Sequence, residues 1–236
     1  MDVKKTLLNL LYPVRCVVCD EITGYAKEAV CRKCRGKIVY IREPFCMKCG
    51  KQLNKQEQEY CSDCQKKNHA YIQGTALYDY GSMADSVFRF KYKGRMEYSK
   101  FYGKELYNEK ACWLSMISPD ALIPVPVHPS RKRKRGYNQA ELIARELSRC
   151  SGIPVNTRLI RRVGKTIPLK NLNQLEREKN LKRAFKIYKN DVKLSTIVII
   201  DDIYTTGSTI DAMAGILHKA GIPKVYFMAL TIGRGI

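Results

Sequence analysis

Residues 197–209 read Ile-Val-Ile-Ile-Asp-Asp-Ile-Tyr-Thr-Thr-Gly-Ser-Thr, and this run narrows the possible folds more than any other stretch. Four consecutive apolar residues, mostly β-branched, suit a strand covered on both faces. Two adjacent carboxylates, Asp201 and Asp202, follow at its end. A short loop of hydroxyls and glycine comes next, and a helix is expected straight after it. A helix start offers free backbone N–H groups and the positive end of a dipole, which together bind anions. Gly207 lets the backbone approach an anion closely, while Thr205, Thr206, Ser208 and Thr209 supply hydroxyl donors. Carboxylates set just before such a cradle suit a ligand carrying both a phosphate and sugar hydroxyls.

A second constraint lies near the other end. Cys16/Cys19, Cys31/Cys34, Cys46/Cys49 and Cys61/Cys64 form Cys-x-x-Cys pairs, and each set of four reads C-x2-C-x11-C-x2-C. Two knuckles at that separation can place four thiolates tetrahedrally around one zinc ion, so the region reads as a duplicated zinc ribbon. Gly36 and Gly50 close to the knuckles fit that reading. A disulfide framework competes, but no secretory signal is visible and regular close pairs suit metal better. Sequential ligation is the simplest pairing; interleaved ligation stays open. With sulfur in every ligand position the two zinc ions would be structural, and would supply folding energy that so small a module lacks. Cys112 and Cys150 stand apart and are expected to be small core residues.

At 236 residues the chain can hold one ordinary domain and a small one. The expected division is a cysteine-rich module over 1–70 and an α/β domain over 71–236. No apolar run is long enough to span a membrane. The stretch Thr6–Leu11 is too short and interrupted for a signal peptide and reads as a short helix on the body, so a cytoplasmic protein is expected. The formal net charge is +21; two tetrathiolate zinc sites would reduce it to roughly +17. Either value favours polyanionic partners, nucleic acid or a highly phosphorylated small molecule, although a lysine-rich solvated surface accounts for part of the excess.

After residue 70 strand and helix patterns alternate, which implies a parallel sheet. Thr75–Tyr80 reads as a strand and Met83–Lys91 as an amphipathic helix with Val87, Phe88 and Phe90 inward. Phe101–Tyr107 reads as helix. Leu122–Val127 is a strand whose prolines place it at an edge or before a special turn. His128–Tyr137 follows as a loop with five consecutive basic residues. Asn138 then caps a helix, with Glu141 completing a capping-box pattern and Ala140, Ile143, Ala144 and Leu147 forming its buried stripe. Residues 158–183 read as a loop or flap. Ile210, Met213, Ala214 and Leu217 line the helix after the Asp201/Asp202 strand, Gly221 and Pro223 end it, and Val225–Leu230 is a further buried strand. Ligands of such sheets sit beyond the carboxyl ends of strands, where the basic loop and the Asp201/Asp202 loop share one crevice.

The run over 197–209 closely resembles the 5-phosphoribosyl pyrophosphate (PRPP) motif of type I phosphoribosyltransferases. Together with Pro124-Val125-Pro126-Val127-His128-Pro129, Arg131, Arg135-Gly136-Tyr137-Asn138-Gln139-Ala140-Glu141-Leu142 and the later Arg177 and Asn180–Phe185, it resembles the ComF family across nearly the whole chain. That resemblance implies a type I phosphoribosyltransferase-like α/β fold behind a zinc-binding module. It implies that Asp201 and Asp202 hold the ribose hydroxyls, that Thr205, Thr206, Gly207, Ser208 and Thr209 wrap the 5-phosphate, and that Mg²⁺ accompanies PRPP. Arg131, Arg133 and Arg135 can clamp pyrophosphate, since guanidinium forks match its oxygens; Tyr137 is a further ligand candidate. The family is associated with natural competence, sometimes beside a DNA translocase, which implies PRPP, single-stranded DNA and such a translocase as partners. Thr205 stands where 6-oxopurine salvage enzymes often carry an Asp base, which argues against that reaction. Leu169 departs from a Gln often found in the family's flexible loop, and Lys91 resembles a family position of open role. A non-catalytic DNA-binding adaptor, using PRPP only as a regulatory ligand, is the alternative to an active transferase.

Overall fold

The structure, a computed structural model, describes residues 13–23, 28–164, 184–188 and 193–233. The helix expected within Met1–Tyr12, the Leu169 departure, Arg177 and Asn180–Arg183 lie outside the described residues. In chain order the elements are α1 (Arg32–Arg35), α2 (Ser62–Lys66), β1 (Gly74–Asp79), α3 (Tyr80–Tyr92), α4 (Tyr98–Ile117), β2 (Ala121–Pro124), α5 (Pro129–Arg135), α6 (Gln139–Ser151), β3 (Ile160–Arg162), β4 (Phe185–Ile187), β5 (Thr196–Tyr204), α7 (Ser208–Lys219) and β6 (Lys224–Ile232).

Four strands form a parallel sheet in the order β1-β6-β5-β2, with helices on both faces. This is the α/β arrangement that a type I phosphoribosyltransferase-like fold requires. Side chains alternate across a strand, so β5 feeds two cores. Ile197 and Ile199 face α7 through Ile210, Met213, Ala214 and Leu217. Val198 and Ile200 face α3, α4 and α6 through Val87, Phe90, Tyr102, Leu106, Ile143 and Leu147. Such two-sided burial explains the unbroken apolar run in the sequence, each side chain contributing about 1.5–3 kcal/mol. β2 lies at the edge of the sheet, as its prolines anticipate, touched there by one bridge from Leu122 to Val155.

The cysteine module packs on both cores. Cys46, Cys49, Leu53 and Cys61 join the α7 face of the sheet, whereas Val17 joins the other. Backbone bonds tie the second four-cysteine group and the segment leading into it to β1: Gly74 N donates to Lys48 O and Ile41 N to Leu77 O, at 2.8 and 2.9 Å. Gly50 sits at φ +75° with Thr75 Cα 2.8 Å from where a Cβ would stand, so a side chain there meets both strain and backbone. The first knuckle is gripped by α3 and α4. Ser86 donates to Val17 O and Arg89 to Val18 O, while Tyr98 Oη and Arg95 both donate to Asp20, at 2.6 and 2.7 Å.

Four expectations need correction, the last of them in part. The basic stretch after β2 is not a loop but the helix α5: His128 Nδ1 accepts from Ser130 N, Pro129 occupies the first turn, and Gly136 at φ +84° closes the end. Cap chemistry thus outweighed the repulsion of five like charges. Phe88 is exposed rather than inward, because the buried stripe of α3 runs through Met83, Ser86, Val87 and Phe90. Cys112 and Cys150 are both exposed, not core. The α6 expectation holds for Asn138, whose side chain accepts from Ala140 N, but Glu141 turns away from the cap toward Arg145 and Lys132.

Candidate functional site

The eight knuckle cysteines gather into two four-sulfur groups, Cys16/Cys19/Cys31/Cys34 and Cys46/Cys49/Cys61/Cys64. Ligation is therefore sequential, not interleaved. Sulfur–sulfur separations of 3.9 Å (Cys19–Cys31) and 3.7 Å (Cys49–Cys61) bracket the edge of about 3.8 Å that a tetrahedron with zinc–sulfur bonds of about 2.3 Å demands. Contacts with Cys49, Cys61 and Cys64 hold the Cys46 thiol below its usual range, while the same contacts push Cys49 and Cys64 up. Buried Lys51 pairs with Asp63 at 2.5 Å and balances charge beside this second group. These residues fit structural zinc, with all ligand positions filled by sulfur.

The other candidate site lies at the carboxyl end of β5. The strand runs through Asp201 and Asp202 to Tyr204, so sheet hydrogen bonding positions both carboxylates. Asp202 Oδ1 pairs with Lys91 Nζ at 2.9 Å, and Asp201 Oδ1 accepts from Asp202 N at 2.9 Å. Burial first, and then the charge of Asp202, push the Asp201 carboxyl up to about 7, against the opposing pull of Lys91 and Arg162. Arg162 reaches the crevice from β3. Burial and then the charge of Arg131 pull its guanidinium below the usual value, while Asp201 opposes them. A cavity of 250 Å³ lies between α5 and β3, lined among others by Lys132, Asn138, Arg161 and Arg162.

Tyr204 turns the chain into the loop before α7. Gly207 has φ +74° and caps α7 without a side chain, which leaves the first N–H groups of the helix uncapped. A Cβ at Gly207 would stand 2.5 Å from Tyr204 Oη. Thr205 and Thr206 are exposed, Ser208 and Thr209 half-buried, and Thr206 Oγ1 and Ser208 Oγ lie 3.0 Å apart. A polar network braces this turn from below. Tyr71 Oη and Tyr204 Oη share a hydrogen bond at 2.7 Å, and Tyr204 stacks on Phe227 at 4.6 Å. Asp211, in the first turn of α7, contacts His69 Nδ1 at 2.9 Å and Lys67 Nζ at 3.0 Å and accepts from Ala70 N at 3.0 Å. Burial pushes the Asp211 carboxyl up, but its His69 and Lys67 contacts outweigh that and hold it low.

The residues expected to bind ligand divide accordingly. Asp201, Asp202 and the Thr205–Thr209 loop share one end of the sheet, and Arg131 stands near Arg162. Arg135 is already engaged: its guanidinium lies 4.7 Å over the Tyr92 ring and donates to Tyr92 Oη and Gln139 Oε1, at 2.9 and 3.1 Å. Tyr137 is buried and its hydroxyl donates to Phe90 O, so it faces the core. Sequence reading missed Arg162, Tyr71 and His69. Their signal was three-dimensional, since each lies far along the chain from the residues it serves.

Comparison with known proteins extends the picture. Residues 7–65 match the model of a double zinc ribbon domain, which spans all four cysteine pairs. Competence protein F of Haemophilus influenzae is 37% identical over 114 residues, 48% of this chain and 50% of that protein. DNA utilization protein YhgH of Salmonella typhi is 34% identical over 112 residues, 48% and 49% of the two chains. Competence protein ComFC of Bacillus subtilis is 29% identical over 157 residues, 63% and 59% of the two. The chain spans about half the length of these first two relatives.

Proposed function

We propose that this chain, a ComF family protein, binds PRPP at the carboxyl end of β5 and acts as a phosphoribosyltransferase in natural competence, on the cytoplasmic side of DNA uptake. The observation that carries the reading is the joint placement of Asp201, Asp202 and the uncapped start of α7 at one strand end. Asp201 and Asp202 would accept from the ribose hydroxyls. The free N–H groups of α7 and the hydroxyls of Thr205, Thr206, Ser208 and Thr209 would hold the 5-phosphate, and Gly207, by lacking a side chain where Tyr204 packs, would keep the turn around it tight. Arg131 and Arg162, near enough for the charge of one to depress the other, would meet the pyrophosphate. Departure of that group leaves positive charge on the ribose, which the two carboxylates stabilise. Mg²⁺, entering with PRPP, would neutralise the leaving oxygens. The relatives named for competence and DNA utilization support the cellular role; the acceptor is unassigned.

Calorimetric titration of Mg²⁺·PRPP into the wild type and an Asp201→Asn/Asp202→Asn variant tests the site. Saturable binding that disappears in the variant is expected; absence of binding to the folded, zinc-loaded wild type would sink the reading. Pyrophosphate release in the presence of candidate acceptors then separates an enzyme from the second reading, a nucleic-acid-binding adaptor that uses PRPP as a regulatory ligand. That second reading is favoured by the exposed basic helix α5, on a chain of net charge +21. A DNA translocase is the protein partner we propose for either role.

A further inference from the structure

The turn over residues 205–207 is held at both ends by one short stretch of chain, residues 67–71. At its far end Asp211, in the first turn of α7, contacts Lys67 Nζ at 3.0 Å and His69 Nδ1 at 2.9 Å and accepts from Ala70 N at 3.0 Å. His218, in the last turn of α7, places Nε2 2.8 Å from Ala70 O, so both backbone polar groups of Ala70 go to this one helix. At the near end Tyr71 Oη meets the hydroxyl of Tyr204, the last residue of β5, at 2.7 Å. Gly207 rests on the stretch directly: a Cβ there would meet His69 Cε1 at 3.0 Å as well as Tyr204 Oη. The His69 side chain is 1% exposed and stacks on Tyr71 at 4.8 Å, and its Nε2 has no hydrogen-bond partner among the described residues. The ring is therefore placed by Asp211 and Tyr71 rather than by a wider network, an unusual state for a buried polar group.

The same stretch is anchored to the second four-cysteine group. Cys64 lies in α2, which ends at Lys66, immediately before Lys67. Lys48, between Cys46 and Cys49, stands 5.3 Å from the centre of the Tyr71 ring, and its carbonyl accepts from Gly74 N at 2.8 Å. We propose that His69 and Asp211 are positioning residues for PRPP, which hold the turn in the shape a phosphate needs, and that through residues 67–71 the second zinc ion and PRPP strengthen each other's binding. This inference rests on the PRPP reading above. A phosphate on the turn would restrain Tyr204 and Asp211, and with them the residues that follow Cys64. Zinc in the second group restrains those residues from the other side. Order imposed by one ligand does not have to be imposed again by the other, and the linkage acts equally in both directions. The first group is held elsewhere, by α3 and α4 through Val17, Val18 and Asp20, so PRPP should act more weakly on it.

The test is alkylation of the full, zinc-loaded chain by N-ethylmaleimide in the presence of a zinc chelator, mapped by mass spectrometry with and without saturating Mg²⁺·PRPP. PRPP should slow modification of Cys64 at least about fivefold and that of Cys19 much less, with the exposed Cys112 and Cys150 unchanged as internal standards. Equal slowing at Cys19 and Cys64 would mean general stabilisation of the fold and would overturn the proposal. The Asp201→Asn/Asp202→Asn variant should show no slowing, which separates occupancy of the site from an effect of PRPP on the chelator. His69→Ala should retain its zinc, weaken PRPP at least about fivefold by calorimetry, and erase the difference between Cys19 and Cys64. His69→Asn, whose amide can donate to Asp211 in place of Nδ1, should restore most of both effects; an asparagine variant no better than the alanine one would overturn the role of that bond. Should the alanine variant not fold, the wild-type alkylation pattern decides by itself. Wild type that binds no PRPP would sink both readings, whereas PRPP binding without selective protection of Cys64 would sink only this one.

Discussion

Lys91 Nζ stands 2.9 Å from Asp202 Oδ1, with 16% and 13% of the two side chains exposed, and so joins the end of α3 to the end of β5. The ammonium offsets one of two adjacent carboxylates that burial would otherwise disfavour. Lys91→Met should cost roughly 2 kcal/mol in denaturant unfolding at neutral pH, the loss expected for a charged hydrogen-bonded partner. Lys91→Arg should recover most of that loss by keeping the charge beside Asp202; an arginine variant as unstable as the methionine one would mean that the lysine acts by packing its stem alone.

The raised Asp201 value gives a pH dependence with a definite sign. A carboxyl whose folded value lies near 7 favours the protonated form in the folded chain. Its stabilising contribution is complete below the unfolded value of 3.8 and is lost as pH rises through about 7. Wild type should therefore lose thermal stability across that window, and Asp201→Asn should lose less; a parallel decline in both would contradict the assignment. PRPP with its cation requires the ionised form, so its affinity should increase with pH through about 7 and then level off.

Zinc content is expected at two equivalents per chain, by metal analysis of protein purified without chelator. Cys49→Ser should reduce it to one and lower the unfolding midpoint sharply, because Cys46, Cys49 and Cys61 belong to the core on the α7 face of the sheet. Structural zinc supplies folding energy on the order of 10 kcal/mol in small modules, more than most domains hold in reserve. A variant with two equivalents would refute the ligand assignment.

Tyr71 and Tyr204 share a buried hydroxyl–hydroxyl bond at 2.7 Å beneath the α7 turn. Tyr71→Phe leaves the other hydroxyl without this partner and should cost about 1–3 kcal/mol, as should Tyr204→Phe. The double substitution should cost less than the two singles together, since no hydroxyl is then stranded. Strict additivity, read from chemical unfolding of all four proteins, would show that the pair is uncoupled.

Much of this molecule was legible from local pattern. Cysteine spacing anticipated the two four-sulfur groups, and the unbroken apolar run anticipated a two-sided strand ending at Asp201. Pro124 and Pro126 anticipated an edge strand. What failed was local evidence with two meanings. The basic run 131–135 looked like a loop because like charges repel, yet His128, Pro129 and Gly136 supply both helix ends. Phe88 looked like a core residue, but the helical period directs Val87 and Phe90 inward and leaves it out. The braces of the site were illegible for another reason. Tyr71 meets Tyr204, and His69 meets Asp211, across more than a hundred residues, and only the closed sheet brings them together.

The two four-cysteine groups lie against opposite faces of one sheet, the first through Val17 and the second through Cys46, Cys49 and Cys61. A chain starved of metal would thus lack a lid on each side of β1, and the strand that follows the module would have wet surfaces above and below. Metal supply and completion of the α/β body are consequently one event, and a half-loaded chain would show its defect in whichever core its empty group should have sealed.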